Sequence, residues 1–215
     1  MSTPALPPGL YALIDDGLRP EVPLQTKAKW ALDGGAKTLQ LRMKKTPLRQ
    51  ALAAAREIVS ACRQVGAVCL INDRVDLALL SDAHGAHVGD DDLPVADARM
   101  LLGPQRLLGA TVRNADGAKA AKAAGADHVG MGPIFLTTTK QVAHPPLGPE
   151  GLRREVLASP LPIVAIAGIG LHNIEEVAKA GAHAAAVGSD LLCAADPTER
   201  ARLLRQAFDA AARGA

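Results

Sequence analysis

Polar side chains able to do chemistry are not scattered along this chain of 215 residues; they gather where apolar runs stop. Gln40, Arg42 and Lys44 alternate at the end of one run, Asn72-Asp73 follow a second, and Asp90-Asp91-Asp92 follow a third. Thr111 with Arg113, Thr137-Thr138-Thr139-Lys140, Gly168-Ile169-Gly170 and Gly188-Ser189 close four more. Magnesium takes oxygen ligands, usually one or two carboxylates with phosphate oxygens completing the set, so Asp73 and Asp92 form a candidate Mg2+ pair. Asp92 is equally a cap for a helix starting near Pro94, and Asp73 an ion-pair partner for Arg74 or a cap. Arg42, Lys44 and Lys140 supply positive charge, and hydroxyls beside a lysine suit an anionic ligand. Glycines after two of the runs let a backbone approach a phosphate closely. Two acids, three bases and a backbone anion site together predict two phosphorylated groups, one held through metal.

These positions work together only if the apolar runs are strands that end on one side of a sheet. Residues 10–14, 38–42, 67–71, 86–88, 107–111, 128–131, 162–166 and 183–187 read as strands. Helical patterns fill the gaps at 25–32, 48–65, 75–80, 95–102, after an Asn114 N-cap to about 124, 149–158, 172–180 and from 197 to about 213. Gly34-Gly35-Ala36, Gly125-Ala126-Asp127 and Gly181-Ala182-His183 each close a helix just before a strand. Eight strand–helix repeats predict parallel strands with right-handed crossovers, and their compactness matches the α/β class as a (β/α)8 TIM barrel. An open doubly wound sheet is the alternative; it carries a glycine fingerprint after its first strand, where this chain has Asp15-Asp16-Gly17. In a barrel the chemistry sits at the C-terminal strand ends, and phosphate commonly binds after the seventh and eighth strands.

Composition bounds the partners. A formal net charge of +2 with no basic block, and aromatics at 2%, leave neither the field nor the stacking surface that nucleic acid needs. No apolar run of ~18 residues predicts a membrane span, and the N-terminus lacks a signal pattern. Cys62, Cys69 and Cys193 form no CxxC pair and read as reduced, mostly buried thiols of a cytoplasmic protein. The six histidines offer no metal cluster by spacing; His128 and His183 read as structural, and His144 falls in a proline-flanked loop. One domain over 1–215 is expected, with 1–8 a flexible N-terminus and 210–215 a frayed end.

At these residues the chain resembles thiamine phosphate synthases, nearly end to end. Gln40-Leu41-Arg42-Met43-Lys44 is similar to that family's QLREK, Ile71-Asn72-Asp73-Arg74 to its IND-R, and His87-Val88-Gly89 through Asp92 to its HLGQxD. Gly132-Pro133-Ile134-Phe135 through Lys140 is similar to its GPIFPTxTK. The resemblance implies a TIM barrel that joins a pyrimidine diphosphate to a thiazole phosphate and releases pyrophosphate through a pyrimidinyl cation. It implies that Gln40, Leu41, Arg42, Met43, Lys44, Asn72, Thr111 and Lys140 line the pyrimidine diphosphate site, with Arg42, Thr111 and Lys140 acting in catalysis. Thr137, Thr138, Thr139, Gly168, Gly188 and Ser189 are implied at the thiazole phosphate, and Asp73 and Asp92 on Mg2+. The chain departs from the family pattern at Met43, Asp90, Thr111, Leu136 and Ala167. A related thiazole tautomerase places a histidine where this chain has Pro133, and a non-catalytic binder of phosphorylated ligands is the third reading.

Overall fold

Strand and helix alternate along the chain as the apolar periodicity predicts, and the strands close on themselves. The computed structural model describes residues 5–137 and 145–214. Strands β1 (Gly9–Asp15), β2 (Thr38–Arg42), β3 (Val68–Asn72), β4 (Gly85–Val88), β5 (Leu107–Val112), β6 (His128–Met131), β7 (Ile163–Ala165) and β8 (Ala184–Val187) pair in parallel in sequence order. β8 returns to β1 with Ala185 beside Leu10 and Val187 beside Ala12, so the sheet is a closed barrel and the doubly wound alternative falls.

Around it lie α1 (Leu24–Asp33), α2 (Leu48–Gln64), α3 (Val75–Leu80), α4 (Val95–Leu102), α5 (Ala115–Ala123), α6 (Gly148–Ala158), α7 (Ile174–Lys179), α8 (Ser189–Leu192) and α9 (Pro197–Arg213). α2 shows why these segments are helices. It buries Ala51, Ala54, Ala55, Ile58, Val59 and Cys62, an i, i+3, i+4 stripe of small and aliphatic side chains laid on the barrel. Small residues let helices approach closely: a Cβ on Gly34 would lie 2.4 Å from that of Ala201 on α9. The left-handed residue at this helix end is therefore Gly35 (φ 88°), repeated by Gly181 (φ 89°) after α7.

The two faces of each strand do different work. Leu39, Leu41, Cys69, Ile71, Ala86, Val88, Leu108 and Ala110 point outward into the main core shared with the helices. Tyr11, Val68, Leu70, Leu107, Val164, Ala184 and Ala186 fill the barrel interior with Leu6 beneath them. Leu6 is buried and its carbonyl accepts from His183 Nε2 at 2.8 Å. At the other end α9 continues to Arg213 with Ala211 buried. At the N-terminal face of the barrel, Arg99 donates to the carbonyls of Gly103, Arg106 and Gly125 and pairs with Asp127 at 2.6 Å. Charge there is consumed in holding loops together. Charge at the opposite face faces the barrel mouth.

Candidate active site

β2 delivers alternate side chains to the mouth. Its pleat sends Gln40 and Arg42 inward and Leu41 outward. Leu41 is fully buried in the helix-side core, and Met43 packs against that same core. Gln40 donates from Nε2 to the Tyr11 hydroxyl at 2.8 Å, which fixes its amide and turns Oε1 to the remaining space. Arg42 Nη1 lies 2.7 Å from Asp15 Oδ2 at the end of β1. The turn after β2 hangs on Asp16, whose carboxylate accepts from the backbone of Lys44 (3.2 Å), Lys45 (2.7 Å) and Thr46 (2.8 Å) and from the Thr46 hydroxyl (2.9 Å). Burial alone would raise the Asp16 carboxyl; these donors outweigh it and hold the group below the usual carboxylate range.

β3 and β4 supply the two carboxylates. Asp73 has φ 63°, a left-handed conformation that Asp tolerates better than most residues, and its amide donates to the His87 carbonyl at 2.8 Å. Its side chain makes an ion pair with Lys44, and its carboxyl lies beside that of Asp92. Asp92 is not the cap of α4, whose N-cap position is Pro94 and which has no side-chain cap; its Oδ2 accepts from the Gly89 amide at 2.7 Å. Arg74 turns to Asp76 instead of Asp73. Asp90 pairs with Arg113 at 2.8 Å, so its charge is matched outside the carboxylate pair. Burial, then the neighbouring Asp92, push the Asp73 carboxyl up against the pull of Lys44. Asp92 goes the other way: burial opposes ionisation, but the neighbouring Asp73 and the Gly89 amide hold it down. Two neighbouring carboxylates, one of them paired with Lys44, offer a set of oxygen donors. They fit a hard divalent cation, and among the described residues no third His, Cys, Asp or Glu joins them.

Thr111, on β5, is joined to the barrel interior: its Oγ1 lies 3.0 Å from His87 Nε2. Burial pushes the His87 imidazole down to about 4, against a smaller pull from Asp92, so the ring is neutral. Asn72 ends β3 beside His87 in register.

The loops after β6, β7 and β8 form the other side of the mouth. Ile134 and Phe135 amides donate to the carbonyls of Ile166 and Ala167 at 3.0 and 3.2 Å, and a Cβ on Gly168 would meet the Leu136 carbonyl oxygen at 2.5 Å. The glycine is required there by contact between two loops. Asn173 braces the turn, accepting from the Gly170 amide at 2.9 Å and donating to the Gly168 carbonyl at 2.9 Å. The Gly170 amide is thus engaged by Asn173, and a Cβ there would lie 2.9 Å from the Asp190 carboxyl carbon. Gly188 precedes α8 and Ser189 opens it, exposed. Thr137 is half-buried at the edge of the described chain, whereas Thr138, Thr139, Lys140 and His144 lie outside the described residues.

A family model described as thiamine monophosphate synthase matches residues 10–191. The chain belongs to this family. A thiamine-phosphate synthase of Myxococcus xanthus is 59% identical over 208 residues, covering 97% of this chain and 95% of its own. One from Anaeromyxobacter dehalogenans is 48% identical over 209 residues, covering 96% and 91%. A solved thiamine phosphate pyrophosphorylase from Pyrococcus furiosus superposes with a TM-score of 0.85 at 33% identity, covering 94% of this chain and 96% of its own.

In this member of the thiamine monophosphate synthase family, several residues that hold the site escape a motif reading. Asp15 and Asp16 look like a turn, yet they stand at a strand end, where the other site residues were found. Lys27, on α1, is buried and donates to the carbonyls of Asp15 (3.0 Å) and Leu18 (2.5 Å). Burial pulls its ammonium below the usual lysine value, with Asp15 and Asp16 pulling back. A lysine on the buried face of a helix stripe was the available signal. Cys62 and Cys69 are buried and Cys193 is exposed. Among the described residues no helix is long and apolar enough to cross a membrane.

Proposed function

We propose that the protein is a thiamine-phosphate synthase that couples a pyrimidine carrying a diphosphate to a thiazole phosphate and releases pyrophosphate. The observation that carries this is the cluster of Arg42, Lys44, Asp73 and Asp92 at one side of the mouth. The names of the M. xanthus and A. dehalogenans relatives support it. In this reading the bond from the pyrimidine methylene carbon to the diphosphate oxygen breaks first, and its electron pair leaves with pyrophosphate. The resulting pyrimidinyl cation is captured by the lone pair of the thiazole nitrogen, which forms the new C–N bond. No protein nucleophile is needed; the chain's task is electrostatic.

We assign Arg42, Lys44 and Lys140 to the departing diphosphate, and Gln40, Asn72 and Thr111 to the pyrimidine. Asp73 and Asp92 would hold Mg2+, which when bound would supply positive charge to stabilise a departing diphosphate. Thr137, Thr138, Thr139, Gly168, Gly188 and Ser189 hold the thiazole phosphate. A single-ring isomerase would have no use for the paired carboxylates and their cations. Phosphorylated substrates, which do not cross a bilayer unaided, support a cytoplasmic location for this reading. The test is a coupled assay for pyrophosphate and thiamine phosphate with both substrates and Mg2+. Folded protein that binds both substrates and forms no thiamine phosphate overturns the proposal.

A further inference from the structure

Among the described residues, the buried members of Asp, Glu, Lys and Arg are Asp15, Asp16 and Lys27, and they sit together. Lys27 is 1% exposed and lies on the buried stripe of α1 with Leu24, Ala28 and Ala31. An apolar side chain would fill that position without the desolvation that a buried ammonium costs. What the ammonium holds is one turn. Its Nζ donates to the Asp15 carbonyl at 3.0 Å and to the Leu18 carbonyl at 2.5 Å, the first and last carbonyls of residues 15–18. Inside the turn the Gly17 amide donates to Asp15 Oδ1 at 2.7 Å. The two carboxylates then reach outward to the mouth. Asp15 Oδ2 takes Arg42 Nη1 at 2.7 Å, and Asp16 accepts the amides of Lys44, Lys45 and Thr46. Neighbouring buried carboxylates repel each other, and a positive charge bonded to both ends of their turn offsets that repulsion. Arg42 and the backbone of Lys44 thus share one support.

We propose that Lys27 is a positioning residue for the coupling reaction: bonded to both ends of the 15–18 turn, it sets Asp15 and Asp16, and through them Arg42 and Lys44 against the diphosphate. The proposal rests on the assignment of those two cations to the diphosphate. Lys27 itself stays in the core and touches no substrate. Its effect is on geometry: two cations that must meet one diphosphate together lose their relative placement when the turn between them is released, and binding of that group falls with it. A lysine that served only to hold the barrel together would act differently. Its loss would lower the fraction of folded protein and leave the affinity of the remainder unchanged.

The test uses the full-length protein and titration calorimetry with pyrophosphate and Mg2+, which gives affinity and binding-competent fraction separately. Lys27→Met keeps the stem and removes the ammonium. It is expected to raise the Kd for pyrophosphate, and the KM for the pyrimidine diphosphate, by about tenfold. A reduced binding fraction at the wild-type Kd overturns the role. In an Asp15→Asn background the same substitution should cost at most about threefold more; a further tenfold loss overturns the route through the turn. Asp15→Asn alone leaves the Asp15 carbonyl to Lys27 and weakens the hold on Arg42. It should raise the Kd by about 3- to 10-fold, the worth of one net hydrogen bond. A wild-type Kd in Asp15→Asn overturns the proposal whether or not Lys27→Met folds. Arg42→Ala separates this proposal from the reading beneath it. Wild-type pyrophosphate affinity in Arg42→Ala overturns the placement of Arg42 at the diphosphate, and the role of Lys27 with it. Weakened affinity in Arg42→Ala beside a wild-type Kd in Lys27→Met overturns the role of Lys27 alone.

Discussion

Asp16→Ala should loosen the turn that carries Lys44. The carboxylate is 8% exposed and accepts four hydrogen bonds, three of them at 2.7 to 2.9 Å. A hydrogen bond to a charged group is worth about 1.5–3 kcal/mol net. The lysine backbone donors sit on an exposed turn and regain water once it loosens, so the expected loss is about 3 kcal/mol rather than the full sum. For a chain of this size that is a fall in melting temperature of about 6–12 °C. Urea denaturation at pH 7 reads it as a lower midpoint at unchanged slope. The pH dependence has a fixed sign. Because the folded carboxyl lies below its unfolded value, its contribution is complete above about pH 4 and is lost as pH falls through the folded value. The gap between wild type and Asp16→Ala should therefore narrow in acid. With the Lys44 backbone released, the KM for the pyrimidine diphosphate should rise about tenfold or more, with the thiazole phosphate KM unmoved. A loss below about 1 kcal/mol at pH 7, or a gap that widens in acid, refutes the reasoning.

Three further outcomes follow from the geometry. Asp73→Asn and Lys140→Ala should each lower activity by at least about 10²-fold in the pyrophosphate-release assay, as for lost electrostatic stabilisers; wild-type rates in both would remove the charge cluster from the reaction. Ala167 sits at φ 72°, so Ala167→Gly should raise stability by about 0.5–1 kcal/mol, read from the urea midpoint, and a decrease contradicts the strain. The buried neutral His128 binds its proton only when unfolded, so wild-type stability should fall as pH drops below about 6.5, with this ring contributing up to about 1.4 kcal/mol per pH unit. His128→Phe should flatten that slope, and parallel slopes in the two proteins contradict the reading.

Barrel and strand ends were legible in the sequence because parallel strands buried on both faces are continuous apolar runs, and polar residues at their ends stand out. The boundaries of β2, α4 and β6 coincide with the expected ranges. β7 is shorter than expected, starting after Pro162, a residue without an N–H for the ladder. α8 was not anticipated, since four residues show no helical period. At the site, Leu41 and Met43 were placed by their position in a motif. The period of two, applied to the same five residues, separates them from Gln40, Arg42 and Lys44. His87 and His128 read as ordinary strand residues because their partners are three-dimensional, on strands β4, β5 and β6. The roles of Asp16 and Asn173 are likewise invisible locally, since what they bind is backbone whose conformation the sequence does not spell out.

The chain leaves β6 and returns to α6 through a clasp in which the amides of Leu147 and Gly148 donate to the carbonyls of Pro133 and Ile134, at 2.9 and 3.0 Å. Ile134 and Phe135 are in turn fastened to the β7 loop. The two posts are set by main-chain bonds that any sequence between them can leave intact. The clasp uses only atoms common to every residue that carries an N–H, so a substitution at Leu147 that keeps the backbone path leaves it in place.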